Sequence, residues 1–146
     1  MSIKITLPVK PVTKKNSQQI ITNPKTGRPF IIPSKQFRDF EKECKPYMLQ
    51  IKNEIGVIKY PVNVQCVFYV DRKFRYDLTN LLEAIDDVLV NYSILLDDNR
   101  DILASHDGIR VFYDKFNSRI EIEISEMENY DQWNNTKDTQ TSLFKN

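Results

Sequence analysis

Every second position from residue 62 to residue 70 holds an apolar side chain. The residues are Val62, Val64, Cys66, Phe68 and Val70. A period of two places all five on one face of a β-strand, so any fold of this chain must cover that face with other apolar groups. With 146 residues and 40% apolar content, the chain is large enough for one domain with a single hydrophobic core.

The rest of the chain contains further periodic segments. Leu78, Leu81, Leu82, Ile85, Val88 and Leu89 form the apolar stripe of an amphipathic helix that begins near Leu78 and ends near Asn91. Alternation predicts a strand over residues 2–7, and the turn at 23–27 between two apolar runs predicts a β-hairpin arm.

Three more elements complete the prediction. A helix is expected from its N-cap at Ser34, with Phe37, Phe40 and Cys44 on one face and a kink or break at Pro46. Residues 102–113 and 119–126 are predicted to be two strands of a hairpin. The polar stretch at 128–146 is predicted to be a disordered tail, which leaves residues 1–127 as the domain.

Charge is distributed unevenly between the two halves of the chain. Residues 1–60 hold 12 Lys/Arg against 4 Asp/Glu, and residues 61–146 hold 9 against 16. A basic surface beside acidic residues suits a protein that binds a polyanion and divalent cations. The alternative is that the charges only solvate helix faces.

The number of cysteines and the length of the apolar runs indicate the cellular compartment of the protein. The two cysteines, Cys44 and Cys66, predict neither a disulfide framework nor a zinc cluster. The first residues are too polar for a signal peptide, and no apolar run is long enough to span a membrane. We therefore expect a cytoplasmic protein.

Acidic residues flank the predicted helix at 78–91. Asp77 lies between the strand and this helix, and Asp97 and Asp98 follow the helix in a turn. Two or three convergent carboxylates are enough to hold Mg²⁺, which can activate water for phosphodiester cleavage. The spacing alone also fits a helix N-cap at Asp77 and a simple turn at 97–99.

Two motifs distinguish these alternatives. The string RYDLTNL at residues 75–81, followed by LDDN at 96–99, resembles the motif pair of the RusA family of Holliday-junction resolvases. The early strand that ends at Pro8, the basic Lys14-Lys15-Asn16 loop and the helix opening at Ser34 also occupy the positions expected in that family. The resemblance covers about residues 3–127.

The resemblance implies an α+β fold with a mixed β-sheet and two helices, acting as a homodimer. It implies a Mg²⁺-dependent endonuclease, with Mn²⁺ as a possible substitute, that resolves branched DNA by paired nicks during recombination and repair. A dimer suits this task because two sites related by a twofold axis can make symmetric nicks. The catalytic and metal-binding aspartates carry over to Asp77 and Asp98. Such proteins are common in phages and prophages, which places the chain in a bacterial or phage-infected cell.

The chain departs from the family pattern at two positions. Thr79 replaces a second aspartate, and Glu83 replaces a lysine. These residues are i and i+4 on one helix face, so we hypothesise that Glu83 supplies the missing carboxylate as a catalytic metal ligand and that Thr79 holds a water of the metal. Alternatively, Glu83 is only solvated and Asp77 and Asp98 suffice, or the chain binds junctions and cuts poorly.

Basic residues before the first helix and after the strand at 62–70 are the predicted DNA contacts. They are Lys14, Lys15, Asn16, Lys25, Arg28, Lys35, Arg72, Lys73 and Arg75. Phe74 is expected to be packed, with a wedge at the DNA branch as the alternative. His106 is expected within a strand in a structural or exposed role, and Asp86 and Asp87 are expected to be solvated or dimer-facing.

These features leave three candidate functions. The first is a junction-resolving endonuclease, the second is a non-catalytic dimeric junction-binding protein, and the third is a flap or fork nuclease of looser structure preference.

Overall fold

The computed structural model describes residues 2–14 and 18–127, which form one α+β unit with a mixed sheet and two helices. The predicted fold class is confirmed. The elements in chain order are β1 (Ser2–Leu7), β2 (Gln18–Thr22), β3 (Pro29–Pro33), α1 (Lys35–Ile55), β4 (Val62–Val70), α2 (Leu78–Asn91), β5 (Leu103–Ser105), β6 (Arg110–Tyr113) and β7 (Arg119–Glu126). The predicted tail at 128–146 lies outside the described residues.

The main sheet is built around β4. On one edge β4 pairs antiparallel with β7, and β7 pairs antiparallel with β1. The register aligns Cys66 with Ile122 and Ile122 with Ile5, so the apolar side chains of the three strands share one face. On the other edge β4 pairs in parallel with β5 near its start and with β6 near its end. β2 and β3 form a separate two-stranded hairpin, as predicted.

The predicted hairpin of residues 102–113 and 119–126 is wrong. The first segment divides into β5 and β6, and both pair with β4 rather than with β7. Gly108 lies in the break with φ +89°, and a Cβ there would lie 2.3 Å from Nε2 of Gln65. The same amide donates a hydrogen bond to the Gly108 carbonyl at 3.1 Å. The close approach of Gln65, together with the positive φ, therefore favours glycine at residue 108.

Both helices contribute buried apolar faces to the core beside the sheet. The hydroxyl of Ser34 accepts a hydrogen bond from the Phe37 amide at 3.1 Å, which caps α1 as predicted. Phe37, Phe40, Cys44 and Met48 are buried. α1 continues through Pro46, so the helix does not break there. α2 begins and ends at the predicted residues, and Leu81, Ala84, Ile85, Val88 and Leu89 are all fully buried.

Cys44 and Cys66 are both free and fully buried. Burial raises the pKa of the Cys44 thiol to about 12 and also raises the pKa of Cys66. Both thiols therefore remain protonated and act as small apolar groups, as predicted for Cys66.

Neither α1 nor α2 combines the length and the apolar character that a membrane-spanning helix requires.

Candidate active site

Asp77 begins α2 as its N-cap. Its Oδ1 accepts hydrogen bonds from the backbone amides of Thr79 at 3.1 Å and Asn80 at 3.3 Å, and from the Thr79 hydroxyl at 2.7 Å. An extended backbone at Asp77 and the free amides of the first helical turn favour this arrangement. The capping interpretation is therefore confirmed. Capping fixes the position of the carboxylate, which is also a requirement for a catalytic group.

A cleft of about 340 Å³ lies beside Asp77. Its walls come from residues 10–13 after β1, Gln36 of α1, and the segment 72–77 that joins β4 to α2. Three cationic side chains line it, those of Lys10, Arg72 and Arg75. Lys10 was not among the predicted DNA contacts. It is held at the cleft by an ion pair with Asp71 at 3.0 Å, a contact between residues that are far apart in the sequence.

Asp98 lies in the turn that follows α2. After the helix ends, the amides of Ile94 and Leu95 donate to the Leu89 carbonyl, and Leu96 donates to the Ile58 carbonyl at 3.1 Å. These bonds hold residues 94–96 against α2 and against Ile58, and the charge of Asp98 interacts with that of Asp87 on the helix.

The two acids of this turn interact closely. The Asp98 amide donates to Asp97 Oδ1 at 2.7 Å, and the Asn99 amide group donates to Asp97 Oδ2 at 3.1 Å. Hydrogen bonds from Asp98 lower the pKa of Asp97. The pKa of Asp98 is raised by the hydrogen bond with Asp97, by slight desolvation, and by the charges of Asp97 and Asp87. Negative charge is thus concentrated around Asp98.

Asp87, on α2, forms an ion pair with Lys14. The Lys14 amide also donates to the Asn80 carbonyl at 3.3 Å, so the basic loop is fastened to α2 at two points. Asp87 is therefore not simply solvated, because its partner comes from the loop before β2. Lys15 and Asn16, the next residues of the predicted DNA-binding loop, lie outside the described residues.

Asp86 is not simply solvated either. Its Oδ2 lies 2.9 Å from Nε2 of His106, whose Nδ1 lies 2.7 Å from the Val64 carbonyl oxygen. Both ring nitrogens face acceptors, and only the protonated imidazolium donates to both. Burial opposes protonation of His106, but the hydrogen bond and charge of Asp86 outweigh it and raise the pKa. His106 follows β5 instead of lying within a strand, and its ring connects β4 with α2 through these two contacts.

Thr79 and Glu83 are both exposed on the first half of α2. The Thr79 hydroxyl donates its proton to Asp77, so its oxygen retains lone pairs that can accept a hydrogen bond from water. Carboxylate and hydroxyl oxygens are suitable ligands for Mg²⁺. The negative charge concentrated around Asp98 would attract such a cation. Within residues 2–14 and 18–127, no three His, Cys, Asp or Glu side chains gather as a metal-binding group.

The remaining predicted DNA contacts occupy three regions. Arg72, Lys73 and Arg75 lie together in the exposed segment after β4, next to Asp77 in the sequence. Lys25 and Arg28 are exposed in the turn of the β2–β3 hairpin. Lys35 is the first residue of α1 and forms an ion pair with Asp39 at 3.0 Å.

We compared the chain with models of known protein families and with curated proteins, and neither comparison gives a match. The family resemblance therefore rests on the motifs at residues 75–81 and 96–99.

Proposed function

We propose that this protein is a Mg²⁺-dependent endonuclease that resolves Holliday junctions by paired symmetric nicks, and that it works as a homodimer inside a bacterial or phage-infected cell. The observation that carries the proposal is the cleft beside Asp77, which combines a fixed carboxylate with the cations Lys10, Arg72 and Arg75. A phosphodiester needs both features, since cations hold its charge and a carboxylate can hold a metal ion near it.

The charged groups of the cleft and the candidate ligands on and after α2 each have a role in this proposal. Arg72 and Arg75 bind the phosphates that flank the scissile bond, and Lys10 neutralises charge from the opposite wall. Asp77 and Asp98 supply oxygen ligands for Mg²⁺, with Glu83 as a third carboxylate and Thr79 orienting a water through its hydroxyl oxygen. When bound, the ion would activate a water for attack and stabilise the charge that develops on the phosphate.

The test is a cleavage assay on a mobile four-way junction with Mg²⁺, beside a linear duplex and a flap of equal length. Asp77→Asn is the sharpest variant, because an asparagine oxygen can still cap α2 while the negative charge is lost. We expect nicking to fall about a hundredfold or more. Junction binding and the unfolding temperature should remain close to those of the unsubstituted protein.

Glu83→Gln tests the replacement hypothesis in the same assay, with Glu54→Gln as the matched control on α1. Both glutamates are exposed on helices, but only Glu83 follows Asp77 on α2. Full nicking by Glu83→Gln would show that Asp77 and Asp98 suffice. Nicking of the flap and the junction at equal rates would favour the nuclease of looser structure preference.

A non-catalytic junction-binding dimer is the second candidate. It is favoured by Thr79, because the RusA family has a carboxylate at this position. The Thr79 hydroxyl instead donates a hydrogen bond to Asp77. Tight junction binding without any nicking in Mg²⁺ or Mn²⁺ would replace the first proposal by this one.

A further inference from the structure

The segment 72–76 separates two clefts. The first is the cleft beside Asp77. The second has a volume of about 330 Å³ and lies between this segment and β6, with Val70 of β4, and Val111, Phe112 and Tyr113 of β6, in its walls. We call the second one the aromatic cleft. Arg72, Phe74 and Arg75 line both clefts, so a ligand in one is adjacent to a ligand in the other.

Large aromatic side chains are exposed around the aromatic cleft. Phe74 is 64% exposed, Phe112 48% and Tyr113 46%. The expectation that Phe74 is packed is therefore wrong. Its ring lies 6.2 Å from the ring of the half-buried Tyr76, which supports it from one side. The Phe112 ring lies 5.7 Å from the Tyr69 ring on the other face of the sheet, so Phe74 and Tyr113 are the exposed rings that share this cleft. Two exposed rings beside one cleft indicate a contact surface rather than isolated surface residues.

Cations accompany these rings. The Arg72 guanidinium lies 5.6 Å from the centre of the Phe74 ring, and the Lys73 ammonium lies 4.9 Å from the centre of the Tyr113 ring. Exposed rings stack with nucleobases, and cations beside them neutralise the phosphates of the same strand. A surface that binds a mainly apolar protein partner would have exposed rings without cations beside them. The charge of this surface therefore favours a polyanion.

We propose that the aromatic cleft binds unpaired bases of a DNA strand, with Phe74 as a stacking platform and Arg72 and Lys73 as phosphate contacts. The identity of the ligand as DNA rests on the proposed function. A strand whose phosphate occupies the cleft beside Asp77 continues past the shared Arg72 and Arg75 and places its next bases in the aromatic cleft. Branched DNA supplies such bases at low cost, because bases at the branch are already partly unstacked.

The test measures binding without cleavage. Fluorescence anisotropy in EDTA compares a short single-stranded oligothymidylate with a duplex of the same length. Phe74→Leu should weaken single-strand binding about tenfold, because stacking on one ring contributes about 1–3 kcal/mol per base. Duplex affinity should be unchanged. Phe74→Trp should restore single-strand binding, and its fluorescence should be quenched as a base stacks on the indole.

Phe116→Leu is the matched control. Phe116 is 91% exposed and has the Lys115 ammonium 5.4 Å from its ring centre, yet it is outside the walls of the aromatic cleft. It should bind single strands like the unsubstituted protein. Equal single-strand affinities for Phe74→Leu and Phe116→Leu would overturn the proposal.

A protein–protein role gives a different pattern. If Phe74→Leu alters the sedimentation coefficient and leaves single-strand affinity intact, the aromatic cleft contacts another protein chain and the proposal fails. Because the assay contains no metal, a protein that never nicks junctions can still confirm the aromatic cleft. A resolvase with no effect of Phe74→Leu would retain the proposed function and lose this inference.

Discussion

The α2 region and the β2–β3 hairpin carry the same class of predicted DNA-binding cation but support it differently. Around α2, Lys14 is paired with Asp87, and Asp86 is paired with His106. On the hairpin, the Lys25 and Arg28 amides bond to side chains of the same turn, while Ile20 and Ile31 are 76% and 63% exposed. Replacing a charged residue that is ion-paired with α2 should change both DNA affinity and the free energy of unfolding. A charge on the hairpin affects binding alone.

The largest expected difference between the two regions is in core packing. Ile85→Ala should reduce the free energy of unfolding by about 3 kcal/mol, because Ile85 is fully buried against the sheet. Ile31→Ala, the same substitution on the hairpin, should change it by less than about 0.5 kcal/mol. Urea unfolding measures both. A comparable loss for Ile31→Ala would mean that the hairpin packs against another surface in solution.

A smaller effect is expected at the Asp86–His106 pair. His106→Gln should lower the free energy of unfolding by about 1–3 kcal/mol, because Asp86 loses a charged partner in a largely buried place. Folding raises the pKa of His106 above 6.5, so the folded state binds the proton more tightly than the unfolded chain does. The contribution is complete below pH 6.5 and declines as the pH rises through the raised pKa.

The measurement for this pair is a series of urea unfolding curves between pH 5 and pH 9. The difference between the unsubstituted protein and His106→Gln should shrink toward alkaline pH, whereas Lys25→Ala on the hairpin should follow the unsubstituted protein throughout. A difference that is constant with pH would show that folding does not raise the pKa of His106.

The smallest effect compares one lysine from each region. Lys14→Ala and Lys25→Ala should each reduce the salt dependence of DNA binding by about one unit of slope in log K against log salt, if each contacts one phosphate. Only Lys14→Ala should also reduce stability, by about 0.5 kcal/mol, because its ion pair with Asp87 is partly exposed. Equal stabilities would show that this ion pair does not fasten the loop.

Elements with a strong local pattern could be predicted from the sequence. The bounds of β4 and α2 agree with the structure, because alternation and the helical stripe each fix a buried face and Asp77 marks the start of α2. Contacts between distant segments could not be predicted. Gln65 lies against Gly108 in the break between β5 and β6. Lys14 forms an ion pair with Asp87, which is 73 positions later in the sequence. Neither contact leaves a periodic trace in the sequence.

The same limit applied to the candidate site. The identities of Asp77 and Asp98 came from motifs, but the course of the chain from α2 to Asp98 depends on hydrogen bonds to Leu89 and Ile58. Phe74 was expected to be packed because most aromatics are, and its exposure follows from the path of the segment between β4 and α2.

The position of β7 between β1 and β4 has a consequence for synthesis on the ribosome. β1 emerges first, yet its hydrogen-bonding neighbour in the main sheet is the last strand of the described chain. Until residue 126 has left the exit tunnel, β1 and one edge of β4 remain without this partner. The sheet therefore closes only after translation of β7, and its many distant pairings favour slow folding with exposed edges that need protection from aggregation.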